Sequence, residues 1–181
     1  MPIRHQVRLD LTGAAGPAVG HSVGPALPAD AVLRSVETRD LQALAELMLD
    51  AYRGTIDDEG ETLVEALDVV RDLLAGDAAN QPLLQQSVVL QEGPAIDCAC
   101  LVGLWSKPAL PLVFYIVCRA ARKNQGLAAL VLRESIARLR REGHRELRAF
   151  ITEGNRPSEA LFARAGFDRV ASPPKAPTQS G

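Results

Sequence analysis

Hydrophobic residues recur along this chain with two different periods, and each change of period marks a new predicted element. Apolar side chains three or four positions apart over residues 41–52 and 63–74 predict two amphipathic helices. Thr38 is the predicted N-cap of the first helix, and Gly76 is predicted to end the second in a left-handed conformation. A polar loop at 53–60 joins the two helices.

Extended segments lie on both sides of this helix pair. Residues 31–36 predict a strand before the helices, and three more strands are predicted after them, at 87–91, 95–105 and 110–118. The strands are joined by predicted turns at Glu92-Gly-Pro and Lys107-Pro.

The last third of the chain alternates between helices and strands. A glycine loop leads into a long amphipathic helix, and its inner face is predicted to carry Ala128, Val131, Leu132, Ser135, Ile136 and Leu139. A strand at 146–151, a short helix at 156–165 and a final strand at 167–171 follow. The complete order predicts an α/β (α+β) sandwich, with a central mixed sheet and helices on both faces.

The compact domain is predicted to cover residues 31–171. Residues 1–30 are predicted to form a flexible arm, because the stretch between Thr12 and Pro28 is rich in Gly, Ala and Pro. Within the arm, residues 6–11 alternate between polar and apolar side chains, which is the period of a half-buried strand. Residues 172–181 are predicted to be a C-terminal tail.

Charge is unevenly distributed along the chain. The formal net charge of -2 argues against nucleic acid as the main partner, because counterion release needs a broad basic surface. Nine Lys or Arg residues nevertheless lie between Arg119 and Arg148. A local cationic patch in an acidic protein favours a small polyanion as the ligand.

The chain has no run of about eighteen apolar residues and no cleavable signal pattern, so we expect a cytoplasmic protein with no membrane partner. Cys98 and Cys100 fall on one face of a predicted strand, and Cys118 lies near the end of the next. The three histidines are not at ligand spacing. We therefore expect reduced core thiols and no metal.

The segment from Arg119 to Leu132 contains no acidic residue and passes from a strand through Gly126 into a helix. The first amides of a helix have no partners within the helix and lie at the positive end of its dipole, so an external anion can satisfy them. Gly126 lets the backbone approach closely, while Arg122 and Lys123, with Arg119, add positive charge. We predict a diphosphate-binding site here.

Two motifs in this order of elements point to a known family. The loop reads Lys123-Asn-Gln-Gly126-Leu-Ala128, and residues 155–167 read Asn-Arg-Pro-Ser-Glu-Ala-Leu-Phe-Ala-Arg-Ala-Gly-Phe. One helix and one strand apart, they resemble the phosphate loop and the second motif of the GCN5-related N-acetyltransferase (GNAT) superfamily. The resemblance covers about residues 31–171. It implies a GNAT-like three-layer sandwich and an acyltransferase that uses acetyl-CoA as cosubstrate.

The resemblance also implies which residues bind the coenzyme. The strand backbone at Ile116, Val117 and Cys118 would bind the pantetheine arm. The diphosphate would be held by main-chain amides of the loop, which contains Lys123, Asn124, Gln125, Gly126, Leu127, Ala128 and Ala129. The far side of the coenzyme would be lined by Asn155, Ser158 and Phe162.

In such a site a neutral amine attacks the thioester directly, so catalysis is mainly positioning plus a donor to the developing oxyanion. A backbone amide near Cys118 is the candidate donor. Glu153, acting through water, is the candidate base; the alternative interpretation, which the sequence favours, is a solvated loop carboxylate. The family's usual acid is a tyrosine, and here Phe162 replaces it. Ser158 or a water is the candidate acid, and a thiol with a pKa of roughly 8.5 leaves without much help.

The acceptor is expected to be a primary amine of a small molecule or a protein. Asp57 and Asp58, with Glu59 and Glu61, would form an anionic lip that attracts a cationic amine. Alternatively, these acids are favoured near the start of the second helix by its dipole. Tyr52 either lines the cleft or is the last apolar contact of its helix.

The end of the chain departs from the family pattern. A GNAT sheet ends with two strands after the second motif, whereas Pro173 and Pro174 stop this chain after one. We therefore predict that residues 6–11 occupy the vacant edge, either in the same protomer or exchanged within a homodimer.

The sequence thus predicts an N-acetyltransferase. A second hypothesis is a non-catalytic acyl-CoA sensor or interaction protein with a GNAT fold, because Phe162 cannot donate a proton. A Rossmann nucleotide-binding protein is a third hypothesis, but the loop lacks that fold's first glycines and no early strand–helix unit surrounds it.

Overall fold

An eight-stranded sheet forms the middle layer of the protein. This computed structural model describes residues 3–13, 30–77, 80–105 and 109–170. The strands are β1 (Arg4–Asp10), β2 (Ala31–Ser35), β3 (Asn80–Pro82), β4 (Val88–Glu92), β5 (Ala95–Trp105), β6 (Leu110–Cys118), β7 (Glu146–Thr152) and β8 (Asp168–Arg169). Their order in the sheet is β2-β4-β5-β6-β7-β1-β8, with β3 pairing to β5. Within the described ranges the strand pairs are antiparallel except that of β6 with β7.

Helices cover both faces of this sheet. They are α1 (Leu41–Tyr52), α2 (Leu63–Ala75), α3 (Leu127–Arg141) and α4 (Arg156–Arg164). On β5, Ala99 and Leu101 are buried with α1 and α2, while Cys98 and Cys100 are buried with α3 and α4. The strand is apolar along its length because both of its faces are covered. The predicted three-layer sandwich with a mixed sheet is confirmed.

The element bounds agree closely with the sequence pattern in the middle of the chain. β5 and β6 have the predicted limits, and Gly76 follows α2 with a φ of 72°. Thr38 is not the N-cap of α1: it begins a single 3-10 turn, and Glu37 and Asp40 exchange the capping hydrogen bonds. Asp40 Oδ2 accepts from Glu37 N at 2.9 Å and so holds this turn, and α1 starts after it, at Leu41.

The N-terminal strand lies inside the sheet. β1 pairs with β7 from Arg4 opposite Thr152 to Asp10 opposite Glu146, and β8 pairs with the other side of β1. Val7 and Leu9 are buried in the core beneath α3 and α4. β1 therefore occupies its place within the same chain, between β7 and β8 instead of at the outer edge. Most of the predicted arm at 1–30, and the predicted tail at 172–181, lie outside the described residues.

All three cysteines are free thiols; Cys98 and Cys100 are buried, and Cys118 is half-buried. The described His, Cys, Asp and Glu side chains form no group of three or more that could hold a metal ion. None of the helices in the described ranges combines the length and apolar character needed to cross a membrane.

Candidate functional site

The two parallel strands in the middle of the sheet separate after a short contact. β6 and β7 pair only where Leu112 meets Arg148 and Val113 meets Ala149. Beyond that point β6 continues to Cys118 along β5, and β7 continues to Thr152 along β1. Among the described residues, the β7-facing main-chain groups of 114–118 therefore lack a strand partner. An extended ligand can form hydrogen bonds in such an opening.

A β-bulge lies at the point where the strands separate. Leu101 is opposite Tyr115 and Val102 is opposite Val113, which leaves Phe114 as the extra residue of β6. A bulge bends its strand and increases the local twist. The Phe114 ring lies over Gly103, where an added Cβ would be 2.1 Å from Phe114 Cε2. Gly103 therefore provides the space that the bulged ring occupies.

The loop after β6 presents free amides at the start of α3. Asn124 and Gly126 have positive φ values of 63° and 79°, and Gly126 is the N-cap residue, so it contributes no side chain. Leu130 N donates to Gly126 O at 3.1 Å, which is the first hydrogen bond of the helix. The N–H groups of residues 127–129 have no acceptor among the described residues. These donors lie at the positive end of the helix and suit a phosphate group.

The basic side chains of this loop are bound to the protein itself. Arg122 Nη1 lies 2.6 Å from Glu92 Oε2 and 3.0 Å from Asp97 Oδ2, and Arg119 Nε lies 3.4 Å from Asp97 Oδ1. Lys123 Nζ donates to Ala51 O at 2.7 Å. These contacts fix the loop against β4, β5 and the end of α1. An anion at this loop would therefore be bound mainly by main-chain N–H groups, because the basic side chains are already partly neutralised by their own partners.

Two thiols lie side by side at the end of β6. Cys118 is directly opposite Cys98 in the β5–β6 pair. The hydrogen bond between the two thiols lowers the pKa of Cys118 and raises that of Cys98. Burial raises the pKa of Cys100 to about 12. Cys118 is the last residue of β6, and the sequence assigns this segment to pantetheine binding. Its sulfur lies 3.7 Å from Arg122 O.

Asp57 connects the loop between α1 and α2 to the end of β7. Its two carboxylate oxygens accept hydrogen bonds from Thr152 Oγ1 and Asn155 Nδ2, each at 2.7 Å. Asn155 Oδ1 in turn accepts from Ser158 N at 3.1 Å and caps α4. The Asp57 carboxylate therefore attaches the loop across the open end of the sheet, beside the separation of β6 and β7.

We expect Asp57→Ala to lower the free energy of unfolding by about 1–3 kcal/mol, because it leaves the buried Thr152 hydroxyl and the Asn155 amide without their acceptor. Asp68→Ala is the matched control, since Asp68 pairs with Arg71 on the exposed surface of α2 and should change stability by less than about 0.5 kcal/mol. Urea unfolding of both variants measures the difference. Equal effects would show that the Asp57 contacts do not hold the loop.

The other acids of this loop have different roles. Asp58 accepts hydrogen bonds from Gly54 N at 2.7 Å and Gly60 N at 3.0 Å, and these bonds lower its pKa. Glu61 Oε2 accepts from Glu59 N at 3.2 Å. α2 begins after these residues, at Leu63, with Thr62 and Glu65 forming the capping box. Asp58 thus shapes the loop, while Glu61 remains available at its surface.

Two tyrosines lie at the open end of the sheet, on the face covered by α1 and α2. Tyr52 is the last residue of α1, and Tyr115 follows the bulge on β6; both pack against the core beneath these helices. Burial is the main cause of the raised pKa of Tyr52, with smaller effects from Tyr115, Asp57, Arg4 and Glu61. Burial also raises the pKa of Tyr115. Both phenols therefore stay protonated at neutral pH.

The residues assigned to proton transfer lie on β7 and α4. Glu153 follows β7, is 47% exposed and pairs with Arg169 at 3.0 Å. Ser158 lies in the first turn of α4, where Asn155 caps its main-chain amide. Phe162 is only 3% exposed and packs edge to face with Phe167, with 5.0 Å between ring centroids. The Phe162 ring is therefore part of the core beneath α4.

Several residues at this site carry no signal in the sequence. Thr152 is an ordinary strand residue by pattern, and Tyr115 and Arg4 belong to no motif. Gly103 is the exception, because an isolated glycine within a strand can indicate a bulge or a close approach. The structure brings all of these residues to the open end of the sheet or to the bulge that produces it.

A protein-family model described as the acetyltransferase (GNAT) family matches residues 41–167. The match covers most of the chain, and the protein belongs to this family. A search of curated proteins finds no match to the sequence.

Solved structures with this fold agree with the family. A GCN5-related N-acetyltransferase from Sphaerobacter thermophilus is similar with a TM-score of 0.66 and 18% identity, over 94% of this chain and 50% of that one. The ribosomal-protein-S18-alanine N-acetyltransferase from Escherichia coli has a TM-score of 0.58 and 16% identity, over 78% of this chain and 79% of that one. AAC(6')-Iy in complex with the bisubstrate analog CoA-S-monomethyl-acetylneamine has a TM-score of 0.56 and 15% identity, over 80% of this chain and 97% of that one. The chain spans about half the length of the Sphaerobacter protein.

Proposed function

We propose that this protein is an N-acetyltransferase that moves the acetyl group of acetyl-CoA to a primary amine of a small molecule or a protein. The observation that carries the proposal is the set of free N–H groups at residues 127–129, which follow directly on a β6 segment with unpaired main-chain groups. The amides suit a diphosphate, and the strand suits an amide-containing arm. Membership of the GNAT family supports the same coenzyme.

The chain's own residues would bind and orient the coenzyme. Acetyl-CoA, when bound, supplies an acetyl thioester that an amine attacks directly. Main-chain amides of residues 124–129 would hold the diphosphate, and the β6 backbone at 116–118 would align the pantetheine. A main-chain N–H near Cys118 would donate to the carbonyl oxygen as negative charge develops on it. Asn155 and Ser158 would border the coenzyme on the α4 side.

Proton transfer would depend on few side chains. Glu153 is the proposed base, acting through a water on the incoming ammonium. Ser158 is the proposed donor to the departing thiolate, which has a conjugate acid of pKa roughly 8.5 and needs little assistance. Phe162 fills core space and has no proton to give. Positioning of the two reactants would therefore supply most of the rate enhancement.

The names of two similar proteins support an amine acceptor. One is an N-acetyltransferase for an alanine of a ribosomal protein, and the other was solved with an analog that joins CoA to an acetylneamine. The first name describes transfer to nitrogen, and the second describes a bisubstrate analog that contains CoA. They cover a protein acceptor and a small molecule, which are the two acceptor classes of the proposal.

Thiol release from acetyl-CoA in the presence of a panel of amines tests the proposed function. We expect release that depends on the amine, with the N-acetylated product identified by mass spectrometry and a reaction without amine as the control. Calorimetry should show binding of acetyl-CoA by the same protein. Binding without turnover across the panel would favour the sensor hypothesis, and absence of binding would exclude both.

A further inference from the structure

Arg4 lies on the α1–α2 face of the sheet, opposite Thr152, whose hydroxyl contacts Asp57. Arg4 is directly opposite Thr152 in the β1–β7 pair, and directly opposite residues place their side chains on the same face. Ile151 is buried beneath α3 and α4, so Thr152 faces the other way, where its hydroxyl meets Asp57. The N-terminal strand therefore brings a guanidinium to the open end of the sheet.

The guanidinium of Arg4 differs from those of the neighbouring arginines. Arg8 lies 3.7 Å from Glu146, and Arg148 is bound to Glu146 and to Gln6. The Arg4 guanidinium, by contrast, forms no ion pair or hydrogen bond with any residue in the described ranges. A cation without a partner beside an opening is available to a ligand.

A carboxylate lies on the loop at the same end of the sheet. Glu61 also forms no ion pair within the described part of the chain; its Oε2 accepts a hydrogen bond from Glu59 N at 3.2 Å, on the loop that Asp57 attaches to Thr152 and Asn155. We call Arg4, Tyr52, Asp57, Glu61 and Tyr115 the acceptor-end cluster. The cluster thus combines a guanidinium and a carboxylate that form no ion pair among the described residues with two phenols, next to the β6 segment assigned to pantetheine.

We propose that the acceptor-end cluster selects an acceptor that carries a carboxylate next to its amine, namely a free α-amino acid. Arg4 binds the carboxylate, because a guanidinium matches a carboxylate with two parallel hydrogen bonds. Glu61 attracts the ammonium group as it arrives, and Asp57 holds the loop that carries Glu61. This inference rests on the proposed transfer to an amine and narrows its acceptor.

The test compares acceptors that differ only in the carboxylate. For each amino acid, kcat/KM is measured beside that of the corresponding amine without the carboxylate and of the amino acid amide, which resembles a peptide N-terminus. We expect the free amino acid to be preferred by about 10- to 100-fold. We expect Arg4→Gln to remove this preference by raising KM for the amino acid, with little change for the amine.

Arg8→Gln is the matched control, because Arg8 lies on the same strand and the same face but away from the opening. It should leave the preference unchanged, and Arg4→Lys should retain part of it. Equal activity of wild type and Arg4→Gln toward the amino acid, or a preference for the amine or the amide, overturns the inference.

Binding separates this inference from the proposed function. If amines react but the carboxylate makes no difference, the transferase stands and the amino acid specificity fails. If no acceptor reacts, calorimetry with the CoA-saturated protein still decides the specificity. Binding of the amino acid that is lost in Arg4→Gln supports it, and absence of binding by the wild type overturns it.

Discussion

Gly126→Asp is expected to weaken acetyl-CoA binding by about 100-fold while leaving the fold intact. Gly126 has a φ of 79° at the start of α3, and aspartate is among the residues that tolerate this region. A carboxylate at a helix N-terminus is favoured by the dipole, so we expect stability within about 1 kcal/mol of wild type. The same carboxylate would repel a diphosphate by about 4 kcal/mol at 4 Å and an effective dielectric constant of 20, less after rearrangement.

Two controls isolate the charge in this experiment. Gly126→Asn has nearly the same shape without the charge and should weaken binding by less than about tenfold. Gly143→Asp introduces the same residue at a φ of 81° just beyond the other end of α3, with no atom within 4 Å of its Cβ. Calorimetry with acetyl-CoA should show wild-type affinity for Gly143→Asp. Wild-type affinity for Gly126→Asp would mean that the diphosphate does not bind there.

Gly103→Ala is expected to lower the free energy of unfolding by about 2–3 kcal/mol, or roughly 5–10 °C in Tm. The added Cβ would lie 2.1 Å from the Phe114 ring and 2.8 Å from Gln81 O. The ring of the bulged residue must move, and the backbone of β6 must move with it. Because β6 and β7 separate at this bulge, acetyl-CoA affinity should fall together with stability.

A second substitution tests whether the ring is the cause. The double variant Gly103→Ala, Phe114→Leu should lose about 1 kcal/mol less stability than the sum of the losses in the two single variants. Gly13→Ala is the control for the change of residue type, because nothing lies within 4 Å of its added Cβ. Thermal unfolding measures the four variants and the wild type. Additive single effects would mean that Gly103 and Phe114 do not act on one another.

The sequence predicts the elements with long and regular patterns. β5 and β6 are mostly apolar runs bounded by turn residues, and their limits match the structure. β3 was not predicted, because Asn80-Gln-Pro has no alternation and becomes a strand only through its pairing with β5. β8 is limited to Asp168–Arg169, because only these two residues pair with β1. The hydrophobic pattern of this segment does not indicate where the strand begins and ends.

The candidate site is predictable where a local conformation determines it. The free amides follow from a glycine at the start of a helix, which is a local feature of the sequence. The contacts of Asp57 join residues that are 95 and 98 positions apart, so no spacing rule indicates them. The sequence predicts that the arginines beside the loop are available to a ligand, but in the structure Arg122 forms ion pairs with Asp97 and Glu92. Such pairing depends on strand register, which a single sequence does not determine.

The position of β1 has a consequence for biosynthesis. β1 leaves the ribosome before β7, the strand with which it pairs, and the bond from Arg148 to Gln6 closes a separation of 142 residues. At about 5–20 residues per second, β1 waits on the order of ten seconds for its partner. Nascent chains that stall before β7 therefore carry an unpaired segment that a chaperone can bind, and the open end of the sheet is assembled only after β7 has been translated.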